Sequence, residues 1–269
     1  MMDLSTADPW SPLASSNGIS VSILKIPGIS LPLASGRVSL TIADNDHDIA
    51  HLDTHLPVVS MIGGTVKTTF APTPATIPPK SREAFSNLMA ALVGLDTKSL
   101  TLKGTVDITF SLGFLLGQRT LSGVGFEMLH VFKGLNGMPD VNFISLIDNT
   151  ADAANMKQII SFKINIKSSA NISLKLGDFI MNAAGPAGPV GIVTLKAHTL
   201  EHGDNIVNAV MVVNLSLASA VDFMASLDTA DTPLALTGFA GSTPNVAMAA
   251  ANEAFRFSVV IPRKFGVPA

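Results

Sequence analysis

The protein has 269 residues, with 17 Lys+Arg against 20 Asp+Glu for a formal charge of -3, and it contains no Cys, no Tyr and one Trp. Only 14% of residues are charged, against about 25% in ordinary soluble domains, so the surface is built largely from Ser, Thr, Ala and Gly or is partly covered. The near-neutral balance argues against a nucleic-acid binder, and zero Cys excludes a disulfide scaffold, a thiolate zinc site and a cysteine nucleophile.

The opening MMDLSTADPWSP has neither the basic nor the apolar region of a signal peptide. No window holds the ~18–20 uninterrupted apolar residues of a membrane span; the oily run NIVNAVMVVNLSLASAV is broken by Asn and Ser. The expectation is a soluble protein without a membrane span, or one from which a targeting segment has been removed.

Period two dominates the rest. Strands are expected over Ile19–Lys25, Val38–Ile42, Ile49–Met61 and Thr65–Phe70. After Pro78-Pro79, Phe85, Leu88, Met89, Leu92 and Val93 keep the spacing of an amphipathic helix, with Ser81 placed to cap it. From Ser99 to Leu112, Leu100, Leu102, Val106, Ile108, Phe110 and Leu112 fall on one phase, among Thr, Lys, Asp and Ser. This is the pattern of a sheet with one dry and one wet face. Further strands are expected over Leu121–Phe132, Val141–Ile147, Gln158–Lys167, Ile172–Met181, Val190–Thr199 and Ile206–Leu215. A second helix, Ser219–Leu227, has Val221, Met224 and Leu227 spaced by three, and strands Leu234–Phe239 and Phe255–Ile261 follow. The joints GG, PG, GPAGP and HGDN are turn chemistry.

The helices mark an internal repeat. Met89-Ala-Ala-Leu92 leads to Lys98-Ser-Leu-Thr-Leu-Lys-Gly104, and Met224-Ala-Ser-Leu227 leads to Thr232-Pro-Leu-Ala-Leu-Thr-Gly238. The offset is about half the sequence. The fold class that follows is all-β: two antiparallel β-sandwich domains, residues 1–116 and 117–269, each with one short helix.

Two motifs suggest metals. His198-Thr-Leu-Glu201-His202 matches the pattern of a zinc peptidase class, which needs both imidazoles on one helix face. Here it ends a β-type run and is cut off by Gly203-Asp204-Asn205. On a strand the two His lie about 13 Å apart, so a strand end is expected. Asp44, Asp46 and Asp48 have the alternate spacing of a calcium loop, with His47, His51 and His55 following. The Gly and the distal Glu of an EF-hand are missing. Asp44, Asp46, Asp48 and His51 are therefore weak metal candidates in what reads as a polar hairpin, and no metal, cofactor or catalytic residue is assigned. Gly185-Pro-Ala-Gly-Pro-Val-Gly191 lacks the ending of a phosphate loop and its prolines remove N–H donors, so it is a hairpin loop. No nucleophile elbow is present and no Ser/His/Asp set can be assembled. Asn171-Ile-Ser173 and Asn214-Leu-Ser216 are glycosylation sequons, relevant only to a secreted protein.

Taken as a unit, the second half resembles a known family. Ile160-Ser-Phe-Lys-Ile-Asn-Ile-Lys167 is followed by Ser168-Ser169-Ala170, then Ser173-Leu-Lys-Leu-Gly-Asp178, then Val190-Gly-Ile-Val-Thr-Leu195 and His202-Gly-Asp-Asn205. This is similar to a fungal family classified only as a domain of unknown function, and through it to the group-two late embryogenesis abundant β-sandwich. Ser168-Ser169-Ala170 stands where that family has Asn-Pro-Ser, and Asp8-Pro9-Trp10 stands near its Asn-Pro-aromatic start. The resemblance implies two sandwich copies from the luminal or extracellular part of a fungal membrane-associated protein, in an extracellular or vacuolar setting. It brings no catalytic residues.

The expected function is a non-catalytic structural or protein-interaction module, acting through self-association or a protein partner. The alternative is a lipid or apolar-ligand carrier with a cleft between sheets. Ala209-Val-Met-Val-Val213, apolar on both strand phases, serves either.

Overall fold

A computed structural model describes residues 1–22, 33–56, 60–62, 65–111, 117–137 and 140–263. The protein is mostly strand and falls into two compact units, one made of Met1–Phe85 with Ser99–Val131 and the other of Ser86–Lys98 with Phe132–Ala269. Every pairing with a defined register is antiparallel. Residues 112–116, beside the division expected at 116/117, lie outside the described residues, as do 23–25 and 57–59 of two expected strands.

The first unit contains β1 (Met2–Asp3), β2 (Leu13–Ser22), β3 (Leu33–Asp44), β4 (His47–Leu56), β5 (Ser60–Ile62) and β6 (Thr65–Thr76). A 3-10 turn, Pro79–Ser81, leads into α1 (Arg82–Gly94), most of which belongs to the second unit. Strands β7 (Thr97–Ser111) and β8 (Gln118–Lys133) then return to the first. The strand order is β8-β7-β3-β4-β6-β2-β1, with β5 on β6. Leu52, Leu56, Phe70 and Ala75 form a core against which Ala14, Val38, Leu40 and Val106 pack. The alternation expected along Ser99–Leu112 is visible in the inward Leu100 and Ile108, while Phe110 and Leu112 lie where side chains are not described.

Two expectations shift here. Strand β6 runs six residues past Phe70, through Pro72 and Pro74. It can do so because its register with β4 covers only Ala75 and Thr76, whereas β2 pairs it as far as Pro74. A proline tolerates a strand whose N–H side has no ladder partner. Ser81, expected to cap the helix, sits in the 3-10 turn, and its hydroxyl donates to the Asp48 carbonyl at 2.7 Å.

The second unit contains β9 (Asp140–Asp152), a 3-10 turn at Ala153–Asn155, β10 (Lys157–Ser168), β11 (Leu174–Gly185), β12 (Gly188–Leu200) and β13 (Gly203–Asn214). Then come α2 (Ala218–Thr229), β14 (Thr232–Thr237), a 3-10 turn at Val246–Met248, α3 (Ala249–Ala254) and β15 (Arg256–Ile261). The order is β15-β14-β11-β12-β13-β10-β9, and β15 comes back alongside β9, so the sheet is rolled. Ile160, Phe162, Ile164 and Ile166 all point inward on β10, facing Val207, Ala209, Met211 and Val213 of β13 in the same interior. The rings of Phe179 and Phe255 meet edge to face at 4.7 Å inside.

Helix α2 packs its Phe223 against Gly185 at the end of β11; a Cβ on Gly185 would lie 2.8 Å from that ring. Its buried residues are Ala220, Phe223 and Leu227, while Val221 is half exposed. The inward face is thus rotated from the expected Val221-Met224-Leu227 row, because the bulk of Phe223 takes the site beside Gly185. The carbonyls at the end of α1, unsatisfied within any helix, are met by the turn after β8. Leu135 N–H donates to Leu92, Gly137 N–H to Val93 and Asn136 N–H to Leu95.

Candidate interaction face

Each metal candidate has a definite place in the first unit. Asp44 ends β3, Asn45 and Asp46 form the turn at φ 47° and 66°, and Asp48 lies near the start of β4. Lys103 of β7 stands opposite Thr41 of β3, yet its ammonium passes over that strand to Asp48 of β4 at 2.8 Å. The hydrogen bond to Lys103 holds the Asp48 carboxyl below the usual range and raises the lysine above its own. His51 Nδ1 lies 2.9 Å from the Thr41 hydroxyl. Among the described residues no group of three or more His, Asp or Glu side chains is placed to hold an ion.

The His198–His202 segment closes β12 and turns into β13. Its organiser is a buried amide. Asn205 Oδ1 accepts from Glu201 N–H at 2.8 Å, while its Nδ2 donates to the carbonyls of Glu201, Gly203 and Ile166 at 2.9, 3.0 and 3.1 Å. His202 Nδ1 lies 3.2 Å from the Ala170 carbonyl. Gly185 to Gly188 is the tight hairpin end between β11 and β12.

The feature that stands apart from ordinary polar surface is the outer face of the rolled sheet. Register places Ile180, Thr194, Val210 and Ser161 in one row across β11, β12, β13 and β10. The adjacent row is Asn182, Ile192, Val212 and Ile159. None of the eight carries a charge, and none belongs to the buried interior. Ile192 is 41% exposed, and Ile206, further along β13, is 70% exposed. The 2.8 Å pair of Lys196 with Asp178 and the exposed Lys163 lie beyond the first row, along one side of the two. Strand β13 therefore buries Ala209, Met211 and Val213 completely while presenting Val210 and Val212 to the other side.

The sequence signals only the β13 segment of this face. Ile180 and Ile192 join it through the register of β11, β12 and β13, and Ile159 through the long-range pairing of β10 with β13.

No protein-family model matches the sequence, and no curated protein matches it. Among solved structures, one described as "Inhibition of the exo-beta-D-glucosaminidase CsxA by a glucosamine- configured castanospermine and an amino-australine analogue" is similar at 12% identity and a TM-score of 0.21. That match covers 85% of this protein and spans 24% of the other. A likeness at that level carries no argument about fold or activity. No helix among the described residues is long and apolar enough to cross a membrane.

Proposed function

We propose that the protein is a non-catalytic structural or protein-interaction module that associates through the outer face of the β10–β13 sheet. The observation that carries this reading is the pair of uncharged rows centred on Ile192, Val212, Val210 and Ile159. Five of the eight side chains in these rows are aliphatic, and an uncharged, largely apolar face is the composition of an association surface. Self-association or a protein partner fits it directly. The tandem-sandwich likeness to late embryogenesis abundant domains, and an extracellular or vacuolar setting, belong to the same proposal. The inner face speaks for association over a carrier role: it is filled by Phe162, Phe179, Met181, Met211 and Phe255, as the interiors of small closed sheets are.

Light scattering coupled to size-exclusion chromatography across a range of concentrations tests it. A stable or growing multiple of 28.0 kDa is expected. A strict monomer that co-purifies with lipid, seen by native mass spectrometry, would overturn association in favour of the carrier.

A further inference from the structure

The sequence holds two Asn-Gly steps, Asn17-Gly18 and Asn136-Gly137, and the fold treats them differently. An Asn-Gly step is chemically reactive because glycine puts no side chain in the way of its own amide nitrogen. That nitrogen attacks the preceding Asn Cγ, forming a new C–N bond, and the bond from Cγ to Nδ2 breaks with loss of ammonia. Water then opens the resulting succinimide at either carbonyl, leaving Asp or, with the backbone rerouted through the side chain, isoaspartate. The step needs no reactant beyond water. Its rate depends on whether the glycine N–H is free to turn toward Cγ.

At Asn136-Gly137 it is held. Gly137 N–H donates to the Val93 carbonyl at 2.8 Å, Asn136 N–H donates to Leu95, and the flanking Gly134 and Leu135 N–H groups donate to Asp96 and Leu92. Both residues are fixed at positive φ, 47° and 68°, in the turn that satisfies the end of α1. Attack there requires that turn to open away from the helix, which costs a local unfolding.

At Asn17-Gly18 the surroundings are the opposite. The ladder between β2 and β6 pairs Ser16 with Phe70 and Ile19 with Thr68, so Asn17 and Gly18 stand two against one opposite residue 69, as in a bulge. Both are exposed. The Gly18 N–H is turned to the Ser16 hydroxyl at a long 3.3 Å, and a Cβ built on Gly18 meets nothing within 4 Å.

We infer that Asn17 is a modification site of the folded protein, converting spontaneously to aspartate and isoaspartate, while folding protects Asn136. The conversion adds one negative charge to a protein whose formal charge is -3. It also inserts a backbone carbon where β2 is already out of register. The inference stands apart from the proposed interface and survives its failure.

The test is peptide mapping of the intact protein after timed incubation in mildly alkaline buffer, read as a gain of about 1 Da on each Asn-Gly peptide. A urea-unfolded sample supplies the intrinsic rates, which are expected to be similar at the two steps. In the folded protein Asn17 is expected to convert at least about tenfold faster than Asn136. Gly18→Ala, for which the fold has room, should slow Asn17 without changing far-ultraviolet circular dichroism. Equal rates at the two sites in the folded protein, faster loss at Asn136, or protection of both relative to urea would each overturn the inference.

Discussion

The side chain of Asn205 grips the backbone of Glu201 at both ends, accepting from its N–H at 2.8 Å and donating to its carbonyl at 2.9 Å. One amide thereby ties the turn between β12 and β13 to itself and, through the Ile166 carbonyl, to β10. Asn205→Asp keeps the acceptor but loses the donor to three carbonyls, and Asn205→Ala loses both. Each should lower unfolding stability by about 1–3 kcal/mol, the cost of buried polar groups left without partners. Urea denaturation checks this. Equal stability of Asn205→Asp and wild type would show that the three carbonyls find other donors.

The two glycines that end the repeat expected from the sequence are both pressed against carbonyl oxygens. A Cβ on Gly104 would lie 1.9 Å from Ser39 O, and one on Gly238 would lie 1.9 Å from Asn252 O. Gly104→Ala and Gly238→Ala should each destabilise by about 1–3 kcal/mol through overpacking, measured as a fall in the denaturation midpoint. A neutral result at either position would mean that its neighbour moves away without cost.

On the outer face, Ile192→Lys and Val212→Lys should leave circular dichroism and the melting temperature close to wild type while shifting the light-scattering mass toward 28.0 kDa. The inward neighbour Met211, fully buried, provides the contrast: Met211→Lys should unfold the protein, since an unpaired charge cannot be kept inside. Association unchanged in both outer-face variants would move the interface elsewhere.

The Asp48–Lys103 pair has a definite pH signature. The Asp48 carboxyl is held down by its hydrogen bond with Lys103, so its small stabilising effect is present above the ordinary carboxylate range and fades as pH falls through the lowered folded value. The Lys103 ammonium is raised, so its share is complete below the ordinary lysine range and is lost as pH climbs through the raised one. Lys103→Met should return Asp48 toward its ordinary titration, followed by NMR of the carboxyl carbon. Both groups are well exposed, so the global melting temperature should barely move.

Much of this architecture is legible in the sequence because β-strands announce themselves by phase. Ile160 to Ile166 and Leu100 to Ile108 alternate cleanly, and both segments are strands, with Ile160, Ile166, Leu100 and Ile108 inward. Strand β2 is only half visible, since Leu13 to Gly18 is almost entirely small and polar and its place is fixed by pairing with β6. Helix α3 gives little signal for a related reason. Its segment buries Ala247, Met248, Ala251, Asn252 and Phe255 at helical spacing, but Ala and Asn hardly register as an apolar stripe. The candidate face is the least visible. Its residues are scattered over four strands, and only register, a property of turns and pairing, brings them into two rows.

Strand β13 has a consequence for how the protein finds its fold. A one-residue slip of a strand exchanges its two faces, and burial normally punishes that error heavily. From Ala209 to Val213 both phases are apolar, so a slipped β13 would still present oil to the interior, and hydrophobic sorting is nearly silent over that stretch. The correction has to come from outside it, from Asn205 and the turn it closes. Mispaired intermediates, rather than lost native contacts, are where damage to that turn would be felt first, as slower refolding and aggregation from a collapsed but misregistered sheet.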